Sequence, residues 1–388
     1  MRAARSAVTV TFLLNGLLYG AWAARIPAVR DRLGLSPGAL GLALAFIAAG
    51  SLVSMPVAGW ASARCGSRPV TRLTLAALCC STALLPLSPS LAALCGACLL
   101  YGMSTGALDV AMNAHGVAVE QGYGRPILAS FHGAFSFGGL IGAGTGAIAA
   151  ALAIDARANI AAAGVTALVV GVVWTRRLLP ASADAVQRAP ARARPRPFQT
   201  LARLRAAPAT SRLAALGLLA FCCLLCEGAA ADWSGVYLHR SLGTSAAVAA
   251  LAYTGFSLAM TVLRLTGDAL TGRAGAVAVV RRGAGLAALA LAAGLIVGVP
   301  LVSIVAFTCL GAGLAGIFPA VARAAGTTPG VEAALGVAAV STTGYVGFLA
   351  GPPVIGGLAQ ATSLPVALGL LPALCGLAAL LASVVRAR

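Results

Sequence analysis

Twelve segments long and apolar enough to cross a bilayer, separated by short polar turns, constrain this chain more than any other feature. A spanning helix needs about 20 mostly apolar residues, because each residue adds only about 1.5 Å of rise. The segments run from Ala7 to Ala24, Gly38 to Trp60, Thr71 to Pro86, Leu91 to Asn113, Ile127 to Ala149 and Ile160 to Leu178. After a polar stretch they resume from Leu213 to Trp233, Ala246 to Thr266, Gly283 to Val299, Leu301 to Ala322, Leu335 to Leu358 and Pro365 to Val385. Gly and Pro recur inside them, as lipid-embedded helices tolerate. Charged residues make up only 9% of the 388, against about 25% in soluble domains. That composition excludes a soluble enzyme, a disordered regulator and a secreted disulfide scaffold. It predicts an all-α membrane protein.

The basic residues are all arginine, 27 of them against 9 acids, for a net charge of +18. Such a balance raises two readings, nucleic-acid binding and a basic cytoplasmic face. With the N-terminus inside, 22 of the 27 arginines fall at the termini and in even-numbered loops. Only Arg25, Arg30, Arg32, Arg157 and Arg240 fall on the other side. This asymmetry predicts a multi-pass cell-membrane protein with both termini cytoplasmic, and it argues against nucleic acid as a partner. Arg2 and Arg5 followed by an apolar run and Ala21-Trp22-Ala23 also fit a cleaved signal peptide. Cleavage would invert the asymmetry. Ten cysteines include two CxxC pairs, Cys95 with Cys98 and Cys223 with Cys226. They sit inside spans with no second pair at zinc spacing, so they read as small apolar fillers.

The segment between the sixth and seventh spans carries the Pro/Arg run Ala189-Pro190-Ala191-Arg192-Ala193-Arg194-Pro195-Arg196-Pro197, which neither enters a membrane nor builds a core. Leu201 to Leu204 reads as a short interfacial helix or as part of a solvated tether. Three regions follow: residues 1–178, a cytoplasmic linker 179–212, and residues 213–388. The flanking regions echo each other. Asn15-Gly16 with Trp22 matches Glu227-Gly228 with Trp233. Leu33-Gly34-Leu35-Ser36 matches Leu242-Gly243-Thr244-Ser245. Ser130, Gly133 and Phe137 match Ser341, Gly344 and Phe348. An offset near 209 to 212 residues throughout argues for a duplicated six-helix unit.

These residues carry a resemblance to the major facilitator transporters. Gly59-Trp60-Ala61-Ser62-Ala63-Arg64-Cys65-Gly66-Ser67-Arg68 resembles that superfamily's G-x-L-x-D-R-x-G-R loop, with Ala63 in place of the Asp. Arg264-Leu265-Thr266-Gly267-Asp268 and Arg273-Ala274-Gly275 resemble its second copy, with Gly272 where an acid usually precedes the Arg. The resemblance implies twelve helices in two pseudo-symmetric halves, and a cytoplasmic gate at Arg64, Arg68, Arg264, Asp268 and Arg273. Arg264 and Asp268 stand at i,i+4, either as a clamp or as a plain helix-end ion pair.

A closer resemblance spans nearly the whole chain. It is carried by Gly106-Ala107-Leu108-Asp109-Val110-Ala111-Met112-Asn113, by Ser130-Phe131-His132-Gly133, by Glu227-Gly228 through Asp232-Trp233-Ser234, and by Gly344-Tyr345-Val346-Gly347-Phe348 with Gly351-Pro352-Pro353. These are similar to a bacterial branch of inner-membrane permeases related to the fucose:proton symporters. Asp109 and Asn113 match the acid and amide of those symporters' E-T-A-x-N. Their second acid, late in the first span, is replaced by Ala23.

An ionisable side chain inside a bilayer costs about 2.5–3.5 kcal/mol on insertion scales, so each is a functional candidate. Asp109 and Glu227 are candidates for proton coupling, and His132, whose imidazole titrates near neutrality, for a relay close to Asp109. Asn15, at the repeat position of Glu227, and Asn113, Tyr101 and Tyr345 are candidates for solute contact. Each also has a plain packing role open to it. Asp232 reads as water-facing and Trp233 as an interfacial anchor. His115 and His239 read as loop residues. Gly138, Gly142 and Gly146 predict close helix packing.

The sequence therefore predicts a monomeric secondary transporter of a small polar, sugar-like solute, with a symported proton, the lipid bilayer and the solute as its partners. The alternative is an efflux antiporter for an amphiphilic compound. A Walker loop, a metal cluster and a catalytic constellation are all missing from the sequence, which implies neither a cofactor nor an enzyme.

Overall fold

The computed structural model describes residues 1–123, 127–180, 210–329, 331 and 333–386. The Pro/Arg run, the Leu201 to Leu204 segment and Arg125 lie outside the described residues, as does the side chain of Asp268. Among the described residues there is no strand. The helices are α1 (Arg2–Leu33), α2 (Pro37–Cys65), α3 (Ser67–Leu87), α4 (Leu91–Tyr123), α5 (Leu128–Ala151) and α6 (Ala156–Trp174), then α7 (Thr210–Val236), α8 (Ala246–Ala274) and α9 (Ala276–Val297). They continue as α10 (Pro300–Leu314), α11 (Ile317–Gly326), α12 (Ala333–Ala361), α13 (Leu364–Leu368) and α14 (Leu370–Leu381). Eleven stretches among the described residues are long and apolar enough to cross a membrane, with α10 and α11 counted as one. The expected eleventh span lies within α12, a 29-residue helix outside that eleven.

The echoed motifs fold alike. Gly34 and Gly243 both take positive φ, at 61° and 68°, where a side chain is disfavoured. Two residues on, Ser36 accepts a hydrogen bond from the amide of Ala39, and Ser245 from that of Val248, so each serine caps the next helix. Gly66 and Gly275, at φ 87° and 78°, repeat the correspondence between α2 and α3 and between α8 and α9.

Arginines tie helices together at both ends of the bundle. At the end where α6 stops and α7 starts, here the linker end, Arg5 donates to Tyr123, Arg68 to the Arg176 carbonyl and Arg212 to the Arg386 carbonyl. At the far end Arg25 donates to the Ile154 carbonyl, and Arg32 to those of Pro86 and Ser88. His115 lies not in a loop but inside α4, which runs ten residues past the expected end at Asn113. It is 1% exposed, sits 2.6 Å from Ser67 Oγ and accepts from the Leu179 amide, tying α3 and the end of α6 to α4. Glu120, in the same extension, accepts from the amides of Ile127 and Leu128 and so caps α5.

Glycine controls how closely α1 and α5 pack. A Cβ on Gly138 would lie 2.0 Å from the Leu13 carbonyl oxygen, and one on Gly142 2.0 Å from that of Leu17; on Gly146 it would meet the Ala24 methyl at 2.6 Å. The three-glycine face predicted from the sequence is thus a helix–helix contact. Gly142→Val is expected to destabilise the protein by about 1–3 kcal/mol, since backbone rather than a flexible side chain blocks the new atoms. Size-exclusion chromatography after a temperature ramp checks this; an unchanged melting profile would contradict it.

Candidate functional site

Glu227 lies on α7 and Arg264 on α8, and their side chains meet midway along the bundle. The guanidinium donates to both carboxylate oxygens, at 3.0 and 3.3 Å. It also donates to Ser136 Oγ of α5 at 2.9 Å. The resemblance assigns Arg264 to a cytoplasmic gate; its bonds here are to Glu227 and Ser136. Helical side chains lean toward their own N-terminus, and α8 starts at the far end, so Arg264 reaches inward rather than toward the helix end. The remaining expected gate residues stay apart. Arg64 lies over the Trp60 ring one turn back, at 5.6 Å, Arg68 is on the Arg176 carbonyl, and Arg273 is exposed in the last turn of α8.

A second cluster lies on α4 and α12. Asn113 donates to the Asp109 carbonyl at 2.8 Å and to its carboxylate at 3.1 Å, the i,i+4 pairing that the spacing implies. Tyr345 donates its hydroxyl to the other Asp109 oxygen. Asp109 lies on α4, before the linker segment, and Tyr345 on α12, after it, so this bond joins helices from the two sides of that segment. The carboxylate accepts from two neutral donors and has no cationic partner among the described residues. Asn15 is buried and accepts from Thr105 at 3.4 Å. Tyr101 is 1% exposed, and its hydroxyl has no hydrogen-bond partner among the described residues. His132 is exposed, its ring edge-on to Phe12 at 5.2 Å, and no hydrogen bond among the described residues joins it to Asp109.

Both clusters lie on the linker side of an aromatic plug. The Tyr19 ring is 6.1 Å from Phe135, 6.2 Å from Tyr253 and 6.2 Å from Phe348, so α1, α5, α8 and α12 each supply one ring. Beyond the plug α2 and α12 close on each other. A Cβ on Gly41 of α2 would fall 2.9 Å from the Gly356 Cα of α12, and the Gly38 amide donates to Gln360. At the far end Asp31 of α1 accepts from Arg240 and from His239 Nε2, the latter at 2.7 Å. His239 is thus no loop residue of neutral role. It sits in a π-helical turn that extends α7, with Nδ1 against the Thr244 carbonyl. Both ring nitrogens lie against oxygens, so the ring bridges α1 to the turn after α7. Sequence reading missed this contact because its partners are some 208 residues apart.

A partly buried acid bonded to helices from both sides of the linker segment, and a charged latch at the far end, suit passage of a solute. Residues 8–239 match the model of the Major Facilitator Superfamily. An MFS-type transporter of Yersinia pestis is 34% identical over 360 residues, covering 93% of this chain and 90% of its own. A transporter of Sinorhizobium fredii is 33% identical over 98% of this chain and 97% of its own. Membrane protein MosC of Rhizobium meliloti is 31% identical over 92% of this chain and 84% of its own. Among solved structures, the nucleoside transporter NupG superposes with a TM-score of 0.72 at 13% identity, over 99% of both chains. The chain therefore belongs to the Major Facilitator Superfamily of multi-pass membrane transporters.

Proposed function

We propose that this protein is a proton-coupled symporter of a small polar solute that works by alternating access. Twelve spans in two halves of six, residues 1–178 and 213–388, rock about the Asp109 and Glu227 level. The linker end is cytoplasmic, the far end faces outward, and the cell membrane holds the protein as a monomer. The observation that carries this reading is the Asp109 carboxylate, which accepts from Asn113 of its own helix and from Tyr345 of the opposite half. A carboxylate accepts both bonds. On taking a proton it becomes a donor at one oxygen and must re-pair. Proton occupancy of Asp109 therefore alters the contact between the halves, which is what coupling requires. Glu227 and Arg264 form a neutral pair beside it, and Asn113, Tyr345 and Asn15 offer hydrogen-bonding groups to a hydroxylated solute. The resemblance to the fucose:proton symporters supports a sugar-like solute. The structural likeness to NupG, at 13% identity, supports the fold alone.

A thermal-shift screen of the full chain against sugars, nucleosides, amino acids and organic acids identifies the solute, since a ligand bound to the folded state raises its stability. Uptake of that solute into proteoliposomes should then collapse on adding a protonophore. Uptake indifferent to the protonophore would overturn the coupling.

The far-end latch gives a separate expectation. Asp31→Asn removes the charge that holds His239 and Arg240. For a partly exposed cluster the loss is about 1 kcal/mol, or about fivefold in an opening equilibrium. Amide hydrogen exchange at residues 34–38 and 242–245 should speed up by that factor, and unchanged exchange would exclude the latch.

A further inference from the structure

Asp232 has no place in the mechanism above. It was expected at the water-facing end of the seventh span, yet it is 8% exposed within α7. Gly228, Asp232 and Gly235 lie at successive i+4 and i+3 positions, hence on one face of the helix. A Cβ on Gly228 would meet the Phe348 carbonyl at 2.9 Å, and one on Gly235 would meet the Pro27 ring of α1 at 3.3 Å. The Gly228 contact lies within the second helix set, whereas the Gly235 contact reaches α1 of the first, so the far-end part of this face fronts the seam between the two sets. Among the described residues Asp232 has neither a hydrogen-bond nor an ion-pair partner.

Its neighbours are also unsatisfied. Tyr19 and Tyr101 are within electrostatic reach of Asp232. Among the described residues both hydroxyls are buried without a hydrogen-bond partner, as is the indole nitrogen of Trp233, itself 0% exposed. The charges along the seam do not balance. Glu227 is neutralised by Arg264, whereas Asp109 and Asp232 have no ion-pair partner among the described residues. A buried carboxylate without a partner is costly, and a positive charge is its complement. Aromatic faces such as those of Tyr19 and Tyr253 favour a cation in the same place. An anionic solute would be repelled.

We infer that Asp232 binds a protonated amine of the transported solute when the far end opens, with Tyr19 and Tyr101 completing the site. This rests on the transport reading and adds the solute's charge to it. Asp109 carries the coupling proton and Asp232 the solute's own positive charge.

Matched pairs of compounds test it on the full-length protein in detergent: glucosamine with glucose, and putrescine with 1,4-butanediol. The expected result is that an amine raises Tm while its hydroxyl counterpart does not. Asp232→Asn should abolish that shift and Asp232→Glu should retain it. In the wild-type protein, which needs no variant to fold, the amine's shift should fade as the pH passes above the amine's own pKa. The inference is overturned by equal shifts from amine and hydroxyl partners, by no shift from either amine, by a shift that persists in Asp232→Asn, or by one indifferent to amine protonation. Proton-coupled accumulation of a neutral solute would overturn this inference and leave the transport reading intact. Amine binding without any transport would do the reverse.

Discussion

Asp109→Asn should reduce solute accumulation in energised proteoliposomes to simple equilibration. A proton entering down 100 mV supplies about 2.3 kcal/mol, which at about 1.4 kcal/mol per decade sustains a concentration ratio of about 50. Asparagine keeps the size of the side chain and an oxygen that accepts from Tyr345 or Asn113, so the α4–α12 contact survives in part. It cannot exchange a proton. The accumulation ratio is therefore expected to drop from about 50 toward 1, while solute exchange in the absence of a gradient continues. A loss of exchange as well as accumulation would point to a binding role for Asp109 in place of coupling.

The second large effect concerns Arg264. Removing one partner of a buried ion pair leaves the other uncompensated at a cost of about 3–5 kcal/mol. The Arg264 and Glu227 side chains are 19% and 17% exposed, so the low end of that range, about 3 kcal/mol, applies to Arg264→Met. Arg264 also donates to Ser136 of the other half, so its loss releases a contact between halves. The paired change Glu227→Gln with Arg264→Met leaves no buried charge and should regain most of the stability. Chemical denaturation of the two single variants and the double variant provides the cycle. Additive losses would mean that the two side chains do not act as a pair.

How far these features can be read from residues alone depends on the range of the interaction. The spans follow from apolar run length, and the turns at Gly34 and Gly243 from residues that need positive φ before a serine cap. Asp109 with Asn113 was legible because the i,i+4 relation is local and a charge inside a span is costly. Tyr345 stood out as an aromatic hydroxyl, but not as the partner of Asp109, which lies 236 positions away. Arg264 pairs by spacing with Asp268, as a clamp or as a helix-end ion pair, because spacing reports only neighbours on the same helix. Its long side chain instead crosses to Glu227 and Ser136. Hydropathy alone places His115 and His239 in loops because it fades before a helix ends: α4 runs on through polar turns, and a π-helical turn extends α7. For Asp232, distance from a span end says nothing of α1, which packs against the same face of α7 at Pro27 and Gly235.

The central claim is that movement of the solute and of a proton are one event linked through Asp109. Proteoliposomes loaded with a pH-sensitive dye, without an imposed gradient, test it most directly. Adding the solute identified by thermal shift should acidify the lumen in step with uptake in the wild-type protein, and leave lumenal pH unchanged for Asp109→Asn although the solute still equilibrates. Wild-type uptake with no lumenal pH change, or acidification that persists undiminished in Asp109→Asn, would contradict it.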